Sequence, residues 1–140
     1  MTHKILVVDD EENVLFVIKQ TFAGHCEVLT APDGVTGLEI IKKEKPSFVF
    51  LDIAMPGMSG IQTLELIKNL GLTTVVWMLT GSEDLAVAAR TLKGGASGYL
   101  TKPFEIERLR NIVFNALQDL EKDKQESRAE DRPWHTEKNK

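Results

Sequence analysis

Three carboxylates and one amine stand where they could do chemistry together. Asp9 and Asp10 close the apolar run Ile5-Leu6-Val7-Val8, Asp52 closes Phe48-Val49-Phe50-Leu51, and Lys102-Pro103 follows a third short run that begins at Gly98. Short apolar runs of this kind are strand candidates, so all four groups fall at carboxyl ends of strands. In an open sheet with helices on both faces, those ends form the ligand crevice. Carboxylates gathered there repel one another unless a cation offsets them. A small oxygen set that leaves room for water and a phosphate suits Mg²⁺ better than a fully caged Ca²⁺. The implied chemistry is a cation site with a nucleophilic carboxylate inside it, suited to a phosphoryl group.

The elements that must position these groups are legible along the chain. Runs near Lys4–Asp9, Cys26–Thr30, Phe48–Asp52, Thr74–Leu79 and Gly98–Leu100 predict strands. Several are apolar on consecutive residues, as expected of parallel strands covered on both faces. Between them, Glu11–Phe22, Asp33–Lys43, Ser59–Leu70 and Ser82–Leu92 are long enough for crossover helices, and a last helix is expected from near Phe104. Val14, Leu15, Ile18 and Phe22 form an apolar stripe on the first, and Leu109, Ile112, Val113, Ala116, Leu117 and Leu120 form one on the last. Ser59 with Gln62 matches a capping box, and Ser82 is an expected N-cap. Glu11 and Glu12 are read as acids that favour a helix N-terminus. Strict alternation of strand and helix predicts a doubly wound α/β domain with a five-stranded parallel sheet. Thr80 then joins the acids and Lys102 at the same sheet edge.

Composition sets further bounds. A chain of 140 residues fits one domain and can bury a core without disulfides. Cys26 is the single cysteine and cannot form an intrachain bridge, which suits a reducing, cytoplasmic setting. No apolar stretch approaches the roughly 18 residues needed to span a bilayer, and no signal-peptide hydrophobic region precedes the first strand. The net charge of −4 supplies no basic footprint, so direct nucleic acid binding is not expected, nor is membrane binding. Beyond Leu120 the apolar stripe stops. Residues 121–140 hold six Lys/Arg and six Asp/Glu, so residues 1–120 are expected to form the domain, and 121–140 a charged helix extension or a disordered tail. Met55, Met58 and Met78 are assigned to packing, while His3, His25 and His135 lack metal-ligand spacing and are assigned to the surface.

Four motifs now carry a family resemblance. Val7-Val8-Asp9-Asp10-Glu11, Leu51-Asp52-Ile53-Ala54-Met55-Pro56-Gly57-Met58-Ser59-Gly60, Leu79-Thr80-Gly81 and Tyr99-Leu100-Thr101-Lys102-Pro103-Phe104 stand in order and together resemble the receiver domain of two-component response regulators over roughly residues 4 to 120. The resemblance implies a flavodoxin-like (βα)5 fold with strand order 2-1-3-4-5. It implies that Asp52 accepts a phosphoryl group from a phosphohistidine on a sensor histidine kinase or phosphotransfer protein. Asp10, Asp52 and the backbone carbonyl of Ala54 would bind Mg²⁺ directly, with Asp9 acting mainly through a coordinated water. Lys102 and the Thr80 hydroxyl would each hold a phosphoryl oxygen, so that catalysis is positioning and charge neutralisation.

The resemblance further implies a switch, in which Thr80 moves toward the phosphoryl group and Tyr99 turns inward behind it. That would remodel the face of the fourth helix, fifth strand and fifth helix, a docking face for a downstream protein or for a second copy in a homodimer. A cis Lys102–Pro103 bond is implied as well. Two competing readings differ at particular residues. A phosphatase of the haloacid dehalogenase type needs a second Asp two residues after its nucleophile, where this chain has Ala54. A receiver-like module that only binds is opposed by the intact Asp9, Asp10, Asp52, Thr80 and Lys102. No output-domain motif is visible, which is expected either of a single-domain regulator or of part of a longer protein.

Overall fold

Side-chain alternation along each strand decides which layer it feeds. In the computed structural model, which describes residues 3–81 and 84–130, the strands are β1 (Lys4–Val8), β2 (Glu27–Ala31), β3 (Phe48–Asp52), β4 (Val75–Thr80) and β5 (Gly98–Thr101). The helices are α1 (Glu12–Phe22), α2 (Gly34–Glu44), α3 (Gly60–Asn69), α4 (Leu85–Lys93) and α5 (Ile106–Glu130). β1 sends Ile5 and Val7 to one face, where Val14, Ile18 and Phe22 of α1 and Leu109, Val113 and Leu117 of α5 meet them. Leu6 and Val8 go to the other face, against Ile41 of α2, Leu64 and Ile67 of α3 and Ala88 of α4. Both faces are dry, which is why the run is apolar without alternation.

All strand pairs are parallel, in the order β2-β1-β3-β4-β5. The direction of strand addition reverses at β1, so the loops after β1 and β3 diverge to opposite faces and leave a crevice between them. Most elements lie where the residue pattern places them, with shifts of a residue or two at their ends. One difference is larger. α4 begins at Leu85, with Asp84 as an N-cap whose side chain makes no capping bond; the expected cap, Ser82, lies outside the described residues. α5 begins at Ile106, near Phe104 as expected, once the turn after Pro103 has brought the chain out of β5. Past Leu120, α5 continues as helix to Glu130. No helix among the described residues is long and apolar enough to cross a membrane.

The loop from β3 into α3 is held tightly against the sheet. Ser59 caps α3 by accepting from the Gln62 amide at 3.2 Å, while the Gln62 side chain accepts from the Ser59 amide at 3.0 Å, completing the expected capping box. Gly57 turns the chain at φ +77, and Gly60 lies so close to the Asp52 carbonyl that a Cβ there would overlap it. The Gly60 amide donates to Ile53 at 2.9 Å, pinning the start of α3 to the residue after Asp52.

Two substitutions test this coupling by urea unfolding. Ser59→Ala removes one half of the capping box and is expected to cost about 1 kcal/mol. Gly60→Ala forces backbone apart beneath Asp52 and is expected to cost more, about 2–3 kcal/mol.

Candidate functional site

The first acid is set by the end of β1. The Asp9 amide donates to Ala31 at 3.0 Å, carrying the β1–β2 pairing one residue past the strand, and Asp9 Oδ1 accepts from the Glu11 amide at 2.9 Å. That fixes a fully buried carboxylate at the mouth of the crevice. Asp52 ends β3 between β1 and β4, only 4% exposed, and its Oδ1 accepts from the Ala54 amide at 3.3 Å. Asp10 is exposed beside them. One carboxylate oxygen from each of Asp9, Asp10 and Asp52 lies within 4.8 Å of the others. The sequence-derived acids therefore do meet.

Lys102 arrives from the far side of the sheet. Its amide donates to Thr80 at 2.7 Å, and its peptide bond to Pro103 is cis. Its Nζ lies 2.9 Å from Asp9 Oδ2, 3.4 Å from Glu11 Oε1 and 3.6 Å from Asp52 Oδ1. The contact with Asp9 is a close charged pair, and no other described group reaches the buried Asp9 Oδ2. Thr80 is also buried, with its hydroxyl donating to the Gly81 carbonyl at 3.0 Å rather than to any carboxylate. Tyr99 is half-buried against the α4-side core and lines a surface groove with Leu92, Phe104 and Arg108. Ala54 is exposed next to Asp52, so no side chain covers the acid there.

The charges do not balance. Burial, reinforced by the negative charge of Asp9, pushes the Asp52 carboxyl up to about 7, although Lys102 and the Ala54 amide pull it down. Burial also raises Asp9, against the opposing pull of the Glu11 amide and Lys102. Lys102 shows the complement: burial disfavours its charge, yet Asp9, Asp52 and Glu11 together hold its amine above the ordinary lysine value. One amine thus serves several acids, and Asp9 Oδ2, on the innermost acid, has that amine as its one partner among the described residues. An under-neutralised oxygen cluster with one exposed member fits a hard divalent cation.

The matched family model is the response regulator receiver domain, over residues 5–114. The chain belongs to this family. It is 36% identical over 121 residues to the regulatory protein AtoC of Escherichia coli, covering 83% of this chain and 25% of that protein. It is 32% identical over 119 residues to sporulation initiation phosphotransferase F of Bacillus subtilis, covering 84% of this chain and 95% of that one. Among solved structures, a response regulator receiver domain protein from Clostridium thermocellum superposes with a TM-score of 0.79 at 36% identity, covering 85% of this receiver chain and 97% of the other. The chain therefore spans a quarter of one curated relative and nearly the whole of another.

Two assignments from sequence are incomplete in this receiver domain. Glu11 and Glu12 do stand at the N-cap and in the first turn of α1, but the Glu11 side chain makes no cap bond and its carboxylate also reaches Lys102. Its adjacency to the acidic pair was the available signal; the contact itself spans 91 positions and could not be read from spacing. His3, assigned to the surface, is half-buried, with Nδ1 3.3 Å from Ser47 Oγ and Nε2 3.1 Å from Glu121 Oε1. His135 lies outside the described residues.

The raised Asp52 has a measurable consequence without metal. A carboxyl whose folded value lies above its unfolded one binds an extra proton when folded, so its contribution to stability falls as pH rises from about 4 to about 7 and is then level. In EDTA, wild-type Tm should drop more between pH 5 and pH 8 than that of Asp52→Asn, by on the order of 5 °C. Millimolar Mg²⁺ at pH 8 should recover most of that difference in the wild type and little in the variant.

Proposed function

We propose that Asp52 is the phosphoacceptor of this receiver domain and that a partner histidine kinase or phosphotransfer protein supplies the phosphoryl group. The observation that carries the proposal is the approach of Lys102 Nζ to both Asp9 and Asp52 across the crevice, beside an acidic cluster suited to a cation. An Asp52 oxygen attacks phosphorus in line; the P–O bond forms as the P–N bond to the donor imidazole breaks, and the imidazole leaves with the bonding pair. Water later cleaves the acyl phosphate and restores the carboxylate. The domain acts as a signalling module that catalyses only its own phosphorylation and dephosphorylation.

Each group has a distinct part. Mg²⁺ held by Asp10, Asp52 and the Ala54 carbonyl, with Asp9 through a water, would neutralise the charge of the incoming phosphoryl group. Lys102 gives up part of its hold on Asp9 and Asp52 to grip a phosphoryl oxygen. Thr80 leaves the Gly81 carbonyl to donate to another oxygen, and Tyr99 turns into the space behind it. The face of α4, β5 and α5 then changes shape and docks a downstream protein or a second copy of the chain. Residues 1–120 form the receiver unit and 121–140 a charged extension, in a cytoplasmic protein.

Incubation with Mg²⁺ and acetyl phosphate should add one phosphoryl group by intact mass. Asp52→Asn should take none, and equal labelling of wild type and variant would show the acceptor to be misassigned. Lys102→Ala should still bind Mg²⁺ but label on the order of a hundredfold more slowly, the usual cost of losing one preorganised charge donor.

A further inference from the structure

Glu11 is the acid at the crevice for which the phosphoryl transfer just described has no part. Its backbone is fixed: the amide donates to Asp9 Oδ1 at 2.9 Å, and the carbonyl accepts from the amides of Val14 and Leu15 at 3.1 and 3.3 Å. Its side chain does not cap α1. Instead Oε1 stands 3.4 Å from Lys102 Nζ, with the Glu11 side chain 60% exposed and that of Lys102 18% exposed. The amine is therefore shared between a buried acid, Asp9, and a solvated one, Glu11.

We infer that Glu11 is a positioning residue that holds the Lys102 amine toward solvent and competes for it with the incoming phosphoryl group. The inference rests on the assignment of Asp52 as acceptor and Lys102 as phosphoryl ligand. Lys102 must exchange carboxylate contacts for a phosphoryl oxygen as the transfer proceeds. Of its partners, Glu11 is the solvated acid outside the proposed metal site, so this contact sets how readily the amine is released while the acceptor and the cation ligands themselves stay in place. An exposed ion pair is weak, so the effect is modest in size. Its sign is the informative part: losing Glu11 speeds phosphorylation, whereas a merely structural role at the start of α1 would slow it.

Two variants separate the hold on Lys102 from simple repulsion of an anionic donor. Glu11→Gln removes the charge, and Glu11→Asp keeps the charge but shortens the side chain by one methylene, out of reach of Lys102. Time courses of labelling by acetyl phosphate with Mg²⁺, read by intact mass, should show both variants about two- to fivefold faster than wild type. Acceleration of Glu11→Gln alone would overturn the inference in favour of charge repulsion, and acceleration of neither would overturn it outright. Wild type that labels on Asp52 while the variants gain nothing removes only this inference. Wild type that takes no label removes the proposed function, and this inference with it.

Discussion

A shortage of positive charge at the carboxyl ends of β1 and β3 governs the rest of this molecule. Asp9, Asp10 and Asp52 bring carboxylate oxygens within 4.8 Å of one another, and the nearby Lys102 amine is shared among several acids. At an effective dielectric near 20, two like charges about 5 Å apart cost about 3 kcal/mol. The protein tolerates this because the flanking layers are well filled, and a fully buried Phe, Ile or Leu such as Phe50, Ile18 or Leu64 contributes roughly 1.5–3 kcal/mol. The stability of the core sustains a strained electrostatic site. Burial, reinforced by the negative charge of Asp9, lifts Asp52 to about 7, and the cluster it belongs to fits a hard cation.

The frame around that site is firmly tied at the acids and more lightly tied at Thr80 and Lys102. Asp52 ends a fully buried strand, and Gly60 seals the loop against its carbonyl. Asp9 is tied by its own amide and by that of Glu11. By contrast, Thr80 spends its hydroxyl on the neighbouring Gly81 carbonyl, a local bond exchanged at small net cost. Lys102 holds three partial partners rather than one ideal partner. Partners of this kind can be exchanged, as the proposed phosphoryl-dependent switch requires.

Legibility from sequence followed the range of the interaction. The capping box at Ser59 and Gln62 spans three residues, was readable as a pattern, and stands in the structure. The two-sided burial of β1 and β3 was readable as unbroken apolar runs. The start of α4 was not, because Asp84 provides no side-chain bond to mark it. The long-range contacts of Glu11 and His3 escape the sequence for a common reason: their partners, Lys102 and Glu121, lie 91 and 118 positions away. Nothing local distinguishes an acid that favours a helix terminus from one that reaches across a crevice.

By itself, the sequence determined the alternating α/β architecture and which acids end strands, because helix and strand periodicities and strand-end polarity are local properties of the chain. Motifs in register were enough to name the family resemblance and the roles it implies. Only the tertiary structure decided how one lysine is divided among Asp9, Glu11 and Asp52, that the Thr80 hydroxyl rests on Gly81, and that burial lifts Asp52 to about 7. Those outcomes depend on distances and desolvation between strands far apart in the chain. Both quantities exist only once the sheet has closed.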